Sequence, residues 1–282
     1  MLFKIALVMA AFAANSVLCR LALAGEHIDP MTFSLVRVGS SAVVLLGLFL
    51  YSKSSQAEVQ WSLKNAFFLA VYILAFSYAY LQIDAGIGAL LLFGVVQLTM
   101  VLYGYSQGEQ IGRYRGIGLG IALAGIIVLL LPGAQAPDWE YALIMVMSGL
   151  AWAGYSIAGR NMTQPIGSTL ANFTLAVPIV LLANILLAED RYIDVQGWTL
   201  AILSGGVTSS GAYVLWYAIL KHIDRVTAST VQLSVPCLAI IGGSLFVNEA
   251  VTGRVILSSF MVLFGILLVI YVKPSKINKV LN

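Results

Sequence analysis

Two arginines carry the sharpest chemical signal in this chain. Arg20 and Arg37 stand inside long apolar runs that hold no acid to pair with them. A guanidinium so placed has three uses. It can carry its head to a polar boundary, pair with backbone carbonyls or a loop acid, or dock a carboxylate or phosphate. Around the arginines, uncharged polar and aromatic residues interrupt similar runs: Asn15, Tyr78, Tyr80, Gln97, Trp152, Tyr155, Tyr213, Trp216, Tyr217 and Gln232. A buried amide must find hydrogen bonds, and aromatic walls with a few polar points suit an amphipathic small molecule. Plainer uses stand beside this one. Tyr80, Trp216 and Tyr217 could serve as interface-belt aromatics, and Gln97 and Gln232 could bond neighbouring helices.

Other chemistries lack their parts. The two histidines, His27 and His222, fall in connections, and all 12 acids fall in connections or at helix ends. Hydrolytic and metal sites need such groups converging, so no enzyme, metal or cofactor is expected. Gly116-Ile117-Gly118-Leu119-Gly120 resembles a dinucleotide loop but opens an apolar run with no strand before it. Gly116 and Gly120 are instead expected to form a small face for close helix contact, within the protein or in a homodimer. No Walker A sequence supplies an ATP-driven step. The absence of an acid inside a run also predicts no coupling through a buried carboxylate, and hence facilitated or exchange-type movement of a solute.

The elements that must position these residues are membrane helices. Of 282 residues, 60% are hydrophobic and 10% charged, with mean hydropathy +0.95. Soluble domains carry about 25% charged residues. The apolar runs are of the roughly 20 residues that a helix needs to cross a bilayer core about 30 Å thick, and they lack the alternation of barrel strands. Ten spans are predicted, at about 3–24, 30–52, 64–82, 86–106, 113–131, 138–158, 168–188, 196–220, 226–247 and 252–272. Lys4, the run Ile5–Leu18 and Ala22-Leu23-Ala24 imitate a secretory signal, but this segment has a counterpart later in the chain and is read as the first span. Cys19 and Cys237 fall within spans as small packing residues.

Basic residues orient the spans. With the N-terminus inside, inner segments collect Lys4, Lys53, Lys64, Arg113, Arg115, Arg160, Lys221, Arg225, Lys273, Lys276 and Lys279, and outer ones only Arg191 and Arg254. The positive-inside rule then puts both termini in the cytoplasm, in a multi-pass protein of the inner or plasma membrane. The net charge of +3 reflects this asymmetry rather than a nucleic-acid partner.

A shift of 140 residues lays the chain on itself. Ile83-Asp84 falls on Ile223-Asp224, Glu109 on Glu249, Gly125 on Gly265 and Arg20 on Arg160. Two repeats follow, 1–137 and 138–282, each of five spans. Because five is odd, the second must enter the membrane from the opposite side. The expected fold is thus all-α and integral to the membrane, ten transmembrane helices as two inverted five-helix repeats. Such pairs recur in secondary transporters, with the site near the midplane at the repeat interface.

The residues also carry a resemblance. Asn15, Arg20, Pro30 and Arg37 in the first half are followed by Ala151-Trp152-Ala153, Ala212-Tyr213-Val214-Leu215-Trp216-Tyr217-Ala218, Val235-Pro236 and Asn248-Glu249. This order over both halves resembles the EamA-type permeases of the drug/metabolite transporter superfamily. The resemblance implies a ten-helix permease moving small organic solutes, often outward, with a cavity lined by helices 1, 3, 4, 6, 8 and 9. Two departures are visible: Asn15 stands where Trp-Gly is common, and Val96 replaces the proline that would match Pro236.

The expected substrate-binding set is therefore Asn15, Arg37, Tyr78, Gln97, Trp152, Tyr155, Tyr213, Trp216 and Gln232, with Pro236 as a mid-helix kink and hinge. Pro178 poses the same question of kink or packing. Arg20 is expected to snorkel, and Arg37 to pair with a backbone carbonyl or with Asp29 or Glu26, or else to dock an anionic substrate. Glu109 and Glu249 are expected to cap the helices that follow them. Expected partners are a small-molecule substrate and the lipid bilayer, with the protein a monomer or homodimer. The competing reading is a lipid-linked flippase or a non-transporting membrane scaffold.

Overall fold

Local sequence sets several helix starts. Asp29 accepts hydrogen bonds from the backbone N–H groups of Met31 and Thr32, with Pro30 at the first helical position. Ser62, Asp138 and Asp194 cap three further helices in the same way. The computed structural model describes residues 1–52, 59–107, 112–131, 137–159, 164–188, 190–220, 222 and 231–271. Glu109, Arg160, Asp224 and the side chain of Tyr217 lie outside what is described.

The described chain is helical: α1 Leu2–Ala24, α2 Pro30–Tyr51, α3 Leu63–Ala79, α4 Ala85–Ser106, α5 Arg113–Leu130, α6 Trp139–Ala158 and α7 Pro165–Leu187. After these, α8 Val195–Ile202 runs through a π-helical segment, Leu203–Gly211, into α9 Ala212–Leu220, with helical dihedrals at both junctions. The last two helices are α10 Ser234–Phe246 and α11 Gly253–Tyr271. Among the described residues the only β-pairing is an isolated bridge, Ile28 to Ile193. Among the described residues, six helices are long and apolar enough to cross a membrane: α1, α2, α4, α5, α6 and α7. Shorter apolar helices include α3 and α10.

Packing joins the two ends of the sequence. α6 lies on α3 and α4, α1 on the α8–π–α9 rod and on α10, α2 on α7 and on the π segment, α4 on α10, and α5 on α11. The buried cluster runs from Val8 and Met9 in α1 through Ile73 and Tyr80 to Tyr155, Phe173 and Tyr213. The outside is apolar too. Val43 is 70% exposed and Phe260 66%, alongside Leu50, Leu186 and Phe246. Water-soluble monomers rarely expose contiguous apolar area on this scale; hydrocarbon is the solvent that fits it.

Three expectations are corrected. α5 meets α11 through Gly118 and Ala122 facing Gly265 and through Gly125 facing Met261 and Val262; a Cβ on Gly118 would reach the Gly265 carbonyl at 2.6 Å. Gly116 and Gly120 have open space around them, because they point away from that contact. Pro236 is not mid-helix. The helix breaks at Leu233, and Pro236 falls in the first turn of α10, where a missing N–H costs no intrahelical bond. Glu249 does not cap the helix after it; its carboxylate accepts from the N–H of Ala85 at 2.9 Å, at the start of α4. Pro178 lies inside α7, which continues through it.

Candidate functional site

The π segment is built from small and polar residues, Leu-Ser-Gly-Gly-Val-Thr-Ser-Ser-Gly, inside an otherwise apolar rod. π-Helical turns are uncommon and frequent at functional sites. Here the widened turn aims hydroxyls at two neighbours. Ser204 Oγ donates to Asn15 Oδ1 at 2.6 Å; Thr208 Oγ1, which donates to the Ser204 carbonyl at 2.9 Å, lies 3.2 Å from the same amide oxygen, while Ser209 Oγ accepts from Arg37 Nε at 3.1 Å. α2 reaches the segment closely because of Gly205, where a Cβ would collide with Ser40 Oγ and the Arg37 carbonyl. Ser41 Oγ donates to the Gly205 carbonyl at 2.8 Å.

Beside this contact lies a small cavity lined by Phe12, Asn15 and Ser16 of α1, Tyr72 and Phe76 of α3, Ala89, Leu92 and Phe93 of α4, Trp152 of α6, Thr208 of the π segment and Tyr213 of α9. Its open room is little more than a water molecule. The walls are aromatic. Trp152 sits 4.8 Å from Tyr72 and 5.1 Å from Tyr213 between ring centroids, and Phe12 is edge-on to Tyr213 at 5.9 Å. Asn15 Oδ1 already accepts from Ser204, so what Asn15 chiefly offers a solute is its Nδ2 donor.

Arg37 packs against this wall. Its Nη2 donates to Tyr72 Oη at 3.2 Å, and its guanidinium carbon lies over the Tyr72 and Phe76 rings at 5.4 and 4.8 Å. It does not pair with Asp29 or Glu26. Asp29 spends its carboxylate on Met31 N–H, Thr32 N–H and Tyr192 N–H at the helix start, and Arg37 lies too deep in α2 to share it.

One end of the bundle is closed by polar contacts. Arg20 does not snorkel. Its Nε donates to Glu249 Oε1 at 3.2 Å, its Nη1 to the carbonyls of Tyr80 and Leu81 at 2.9 and 2.6 Å, and its Nη2 lies 3.7 Å from Asp84. Burial raises the Glu249 carboxyl above its ordinary range, opposed by the Ala85 N–H and by Arg20 and reinforced by Asp84. Burial raises Asp84 as well, with Arg20 opposing. A second seam ties the α1–α2 and α7–α8 connections. His27 Nδ1 meets Asp194 Oδ2 at 2.7 Å, Asp194 N–H donates to the His27 carbonyl, and Asp29 N–H donates to that of Tyr192. The Gly197 N–H and then His27 hold the Asp194 carboxyl below its ordinary range. Arg254 Nη1 reaches the Leu131 carbonyl at 2.6 Å and adds the α5–α6 connection.

Of the residues expected to form the site, Asn15, Trp152 and Tyr213 line the cavity, and Arg37 packs on its Tyr72–Phe76 wall. Trp216 and Tyr155 are buried one ring behind, against Phe12 and Trp152. Gln97 is buried one turn beyond Phe93 without lining the cavity. Tyr78 is placed elsewhere, 39% exposed and stacked on Tyr141. Gln232 sits half-buried before α10, away from the cavity. Tyr80 is fully buried at the α3–α4 turn, donating to the Ala85 carbonyl at 3.2 Å. The cavity residues not anticipated are chiefly Phe12, Tyr72, Phe76, Phe93 and Thr208. Their signal was the spacing of Phe12, Asn15 and Ser16, and of Tyr72 and Phe76, on single helix faces.

Fold and cavity together describe a bundle that opens onto lipid outside and onto a small aromatic chamber within. The pattern of the EamA-like transporter family matches twice, over residues 1–131 and 139–271, and the chain belongs to that family. It is accordingly a membrane-embedded protein of a transporter family. It is 40% identical to an uncharacterized protein of Pseudomonas aeruginosa over 94% of this chain and 92% of that one. It is 22% identical to the "uncharacterized inner membrane transporter YedA" of Escherichia coli K12, over 89% and 86%. A "probable amino-acid metabolite efflux pump" of Salmonella typhimurium shares 22% identity over 64% and 66%. A solved crystal structure aligns over 94% of this chain and 98% of its own with TM-score 0.65 and 18% identity, a likeness of fold alone.

Proposed function

We propose that the chain is a secondary transporter that carries small organic metabolites across the inner or plasma membrane by alternating access between two inverted five-helix halves, 1–137 and 138–282. The observation that carries this reading is the cavity, whose walls come from α1, α3 and α4 of one half and from α6, the π segment and α9 of the other. A chamber built from both halves must change shape when they rock. As it stands it admits little more than water, so a solute enters only when the walls part.

Several features support the ten-span arrangement. The connections after α1, α3, α5 and α7, and that before α11, gather at one end through Arg20, Asp84, Glu249, His27, Asp194 and Arg254. These are the connections that the basic-residue count assigns to the outer side, with both termini cytoplasmic. The packing also reads alike when the halves are exchanged: α6 on α3 and α4 answers α1 on the α8–π–α9 rod and α10. The family pattern itself matches twice. In this reading the Arg20 seam is the outer gate in its shut position, and the relative described as an efflux pump favours outward movement of amino-acid-related solutes.

Reconstitution into liposomes tests the proposal. Uptake or counterflow of a metabolite, lost in Trp152→Ala with the protein still monodisperse, is the expected result. Lipid scrambling without any soluble flux would overturn it in favour of a flippase, and neither activity would favour a scaffold.

A further inference from the structure

Arg37 has none of its surface exposed, yet it lacks a countercharge. The ionisable groups acting on it are Tyr72, Tyr213 and Cys19, all neutral at physiological pH in their ordinary state. No carboxylate of the described residues lies within ion-pair distance. Two of its nitrogens are satisfied, Nε by Ser209 and Nη2 by Tyr72, and two ring faces screen it further. Its third nitrogen, Nη1, is buried with no hydrogen-bond partner among the described residues. An ionised group in a low-dielectric interior with a donor unused is costly to keep unless something completes it. The rings it rests on line the cavity, and Asn15 presents a donor there as well.

We propose, resting on the transporter reading, that Arg37 is the countercharge for a single carboxylate on the cargo, whose apolar part lies among Phe12, Phe76, Trp152 and Tyr213. The carboxylate takes the unused Nη1 and the proton of the Tyr72 hydroxyl, whose oxygen already accepts from Nη2. The stoichiometry of charge sets the class. One carboxylate makes the site neutral, a dianionic phosphate leaves an extra negative charge among rings, and an organic cation doubles the positive one. The cavity's uncharged polar lining, Asn15, Ser16 and Thr208, gives a cation no compensating anion.

The test compares isosteres on the intact purified protein, by thermal shift. The probes are 3-phenylpropanoate, 3-phenylpropanamide, 3-phenylpropylamine and 3-phenylpropyl phosphate, with sodium chloride as the inorganic control. The carboxylate should raise Tm, with binding at least about 10-fold tighter than the amide's, the loss expected for one charge-assisted hydrogen bond. Arg37→Gln should abolish the difference between acid and amide. Tyr72→Phe, which keeps the ring and the cation, should shrink it, and serves if Arg37→Gln does not fold. Equal shifts by acid and amide, a preference for the amine, no shift by the acid, or a shift that chloride reproduces would each overturn the assignment. Acid binding without flux in liposomes would leave Arg37 in place and sink the transporter reading. Flux of neutral or cationic solutes without acid binding would do the reverse.

Discussion

Arg20 and Glu249 are 229 positions apart in sequence and 3.2 Å apart in space, and the carboxylate that receives the guanidinium also caps the N-terminus of α4. One carboxylate thus ties α1, α4 and the connection before α11. Gly243 is part of the arrangement, since any Cβ there would strike the Glu249 carboxylate.

Truncating either partner should loosen this end. Arg20→Ala leaves Glu249 buried beside Asp84 with no cation, and Glu249→Ala strips α4 of its cap and Arg20 of its partner. Each should cost about 2 kcal/mol, with Arg20→Ala the worse because a half-buried acid pair remains. Urea or thermal unfolding of the purified protein measures this, and a loss below a few tenths of a kcal/mol would mean the seam is solvated and open in solution.

The acidity of the seam has a sign. The Glu249 carboxyl is raised by burial in the closed arrangement, so that arrangement binds its proton more tightly than a hydrated, open one does. The closed seam is therefore favoured as pH falls from the raised value toward the ordinary carboxylate range, and loses that advantage as pH rises through the raised value. Asp84 acts in the same direction and Arg20 opposes both. The Tm of wild type relative to Glu249→Gln should rise as pH is lowered through this interval. A relative fall would show that the Arg20 attraction outweighs burial.

The glycines separate close contact from mere helix composition. Gly205→Ala drives a methyl into the Arg37 carbonyl and Ser40, and should cost about 1–3 kcal/mol as overpacking does. Gly120→Ala, with open space around it, should be neutral or stabilise by up to about 1 kcal/mol, since alanine is the better helix former. Equal costs would mean that α2 does not approach the π segment as closely as described.

Helix positions and the two arginines were legible in the sequence for physical reasons. Length and apolarity mark a span wherever the solvent is hydrocarbon, and a charge inside such a run stands out. Partners were not legible. Arg20 was expected at the interface because local spacing says nothing of Glu249, which arrives from the other half. The repeat offset marked Arg20, Asp84 and Glu249 as special positions without revealing that they meet. Pro236 was read as mid-helix because apolarity runs on through Leu233, where the helix breaks. Tyr78 and Gln97 were chosen for their polarity on helices that the resemblance implies line the cavity, which does not say which face of the helix is turned inward. Beside Trp152 and Tyr213, the walls are completed by Phe12, Tyr72 and Phe76, aromatics that composition does not separate from ordinary core. The π segment was not singled out either, although four Ser, Thr and Gly residues in succession, Thr208 to Gly211, with Ser204, Gly205 and Gly206 just before them, are poor hydrocarbon-facing residues and good neighbours for a polar group.

The cavity assignment is sharpest where it contrasts residues of one type. Trp152 touches Tyr72, Tyr155 and Tyr213 and lines the chamber, so Trp152→Ala removes the central wall and should weaken binding of any aromatic probe by about 10-fold or more. Tyr78→Phe removes only a hydroxyl on an exposed ring stacked on Tyr141, and binding should be unchanged. Gln97→Ala lies between them, since the side chain is buried one turn from Phe93 yet outside the lining; it should lower stability and leave affinity within about 2-fold. Binding measured by quenching of intrinsic fluorescence ranks the three. Should Gln97→Ala abolish binding while the protein still unfolds at its usual temperature, the chamber extends deeper along α4 than the closed arrangement reveals, and the solute sits below Phe93 rather than against Trp152.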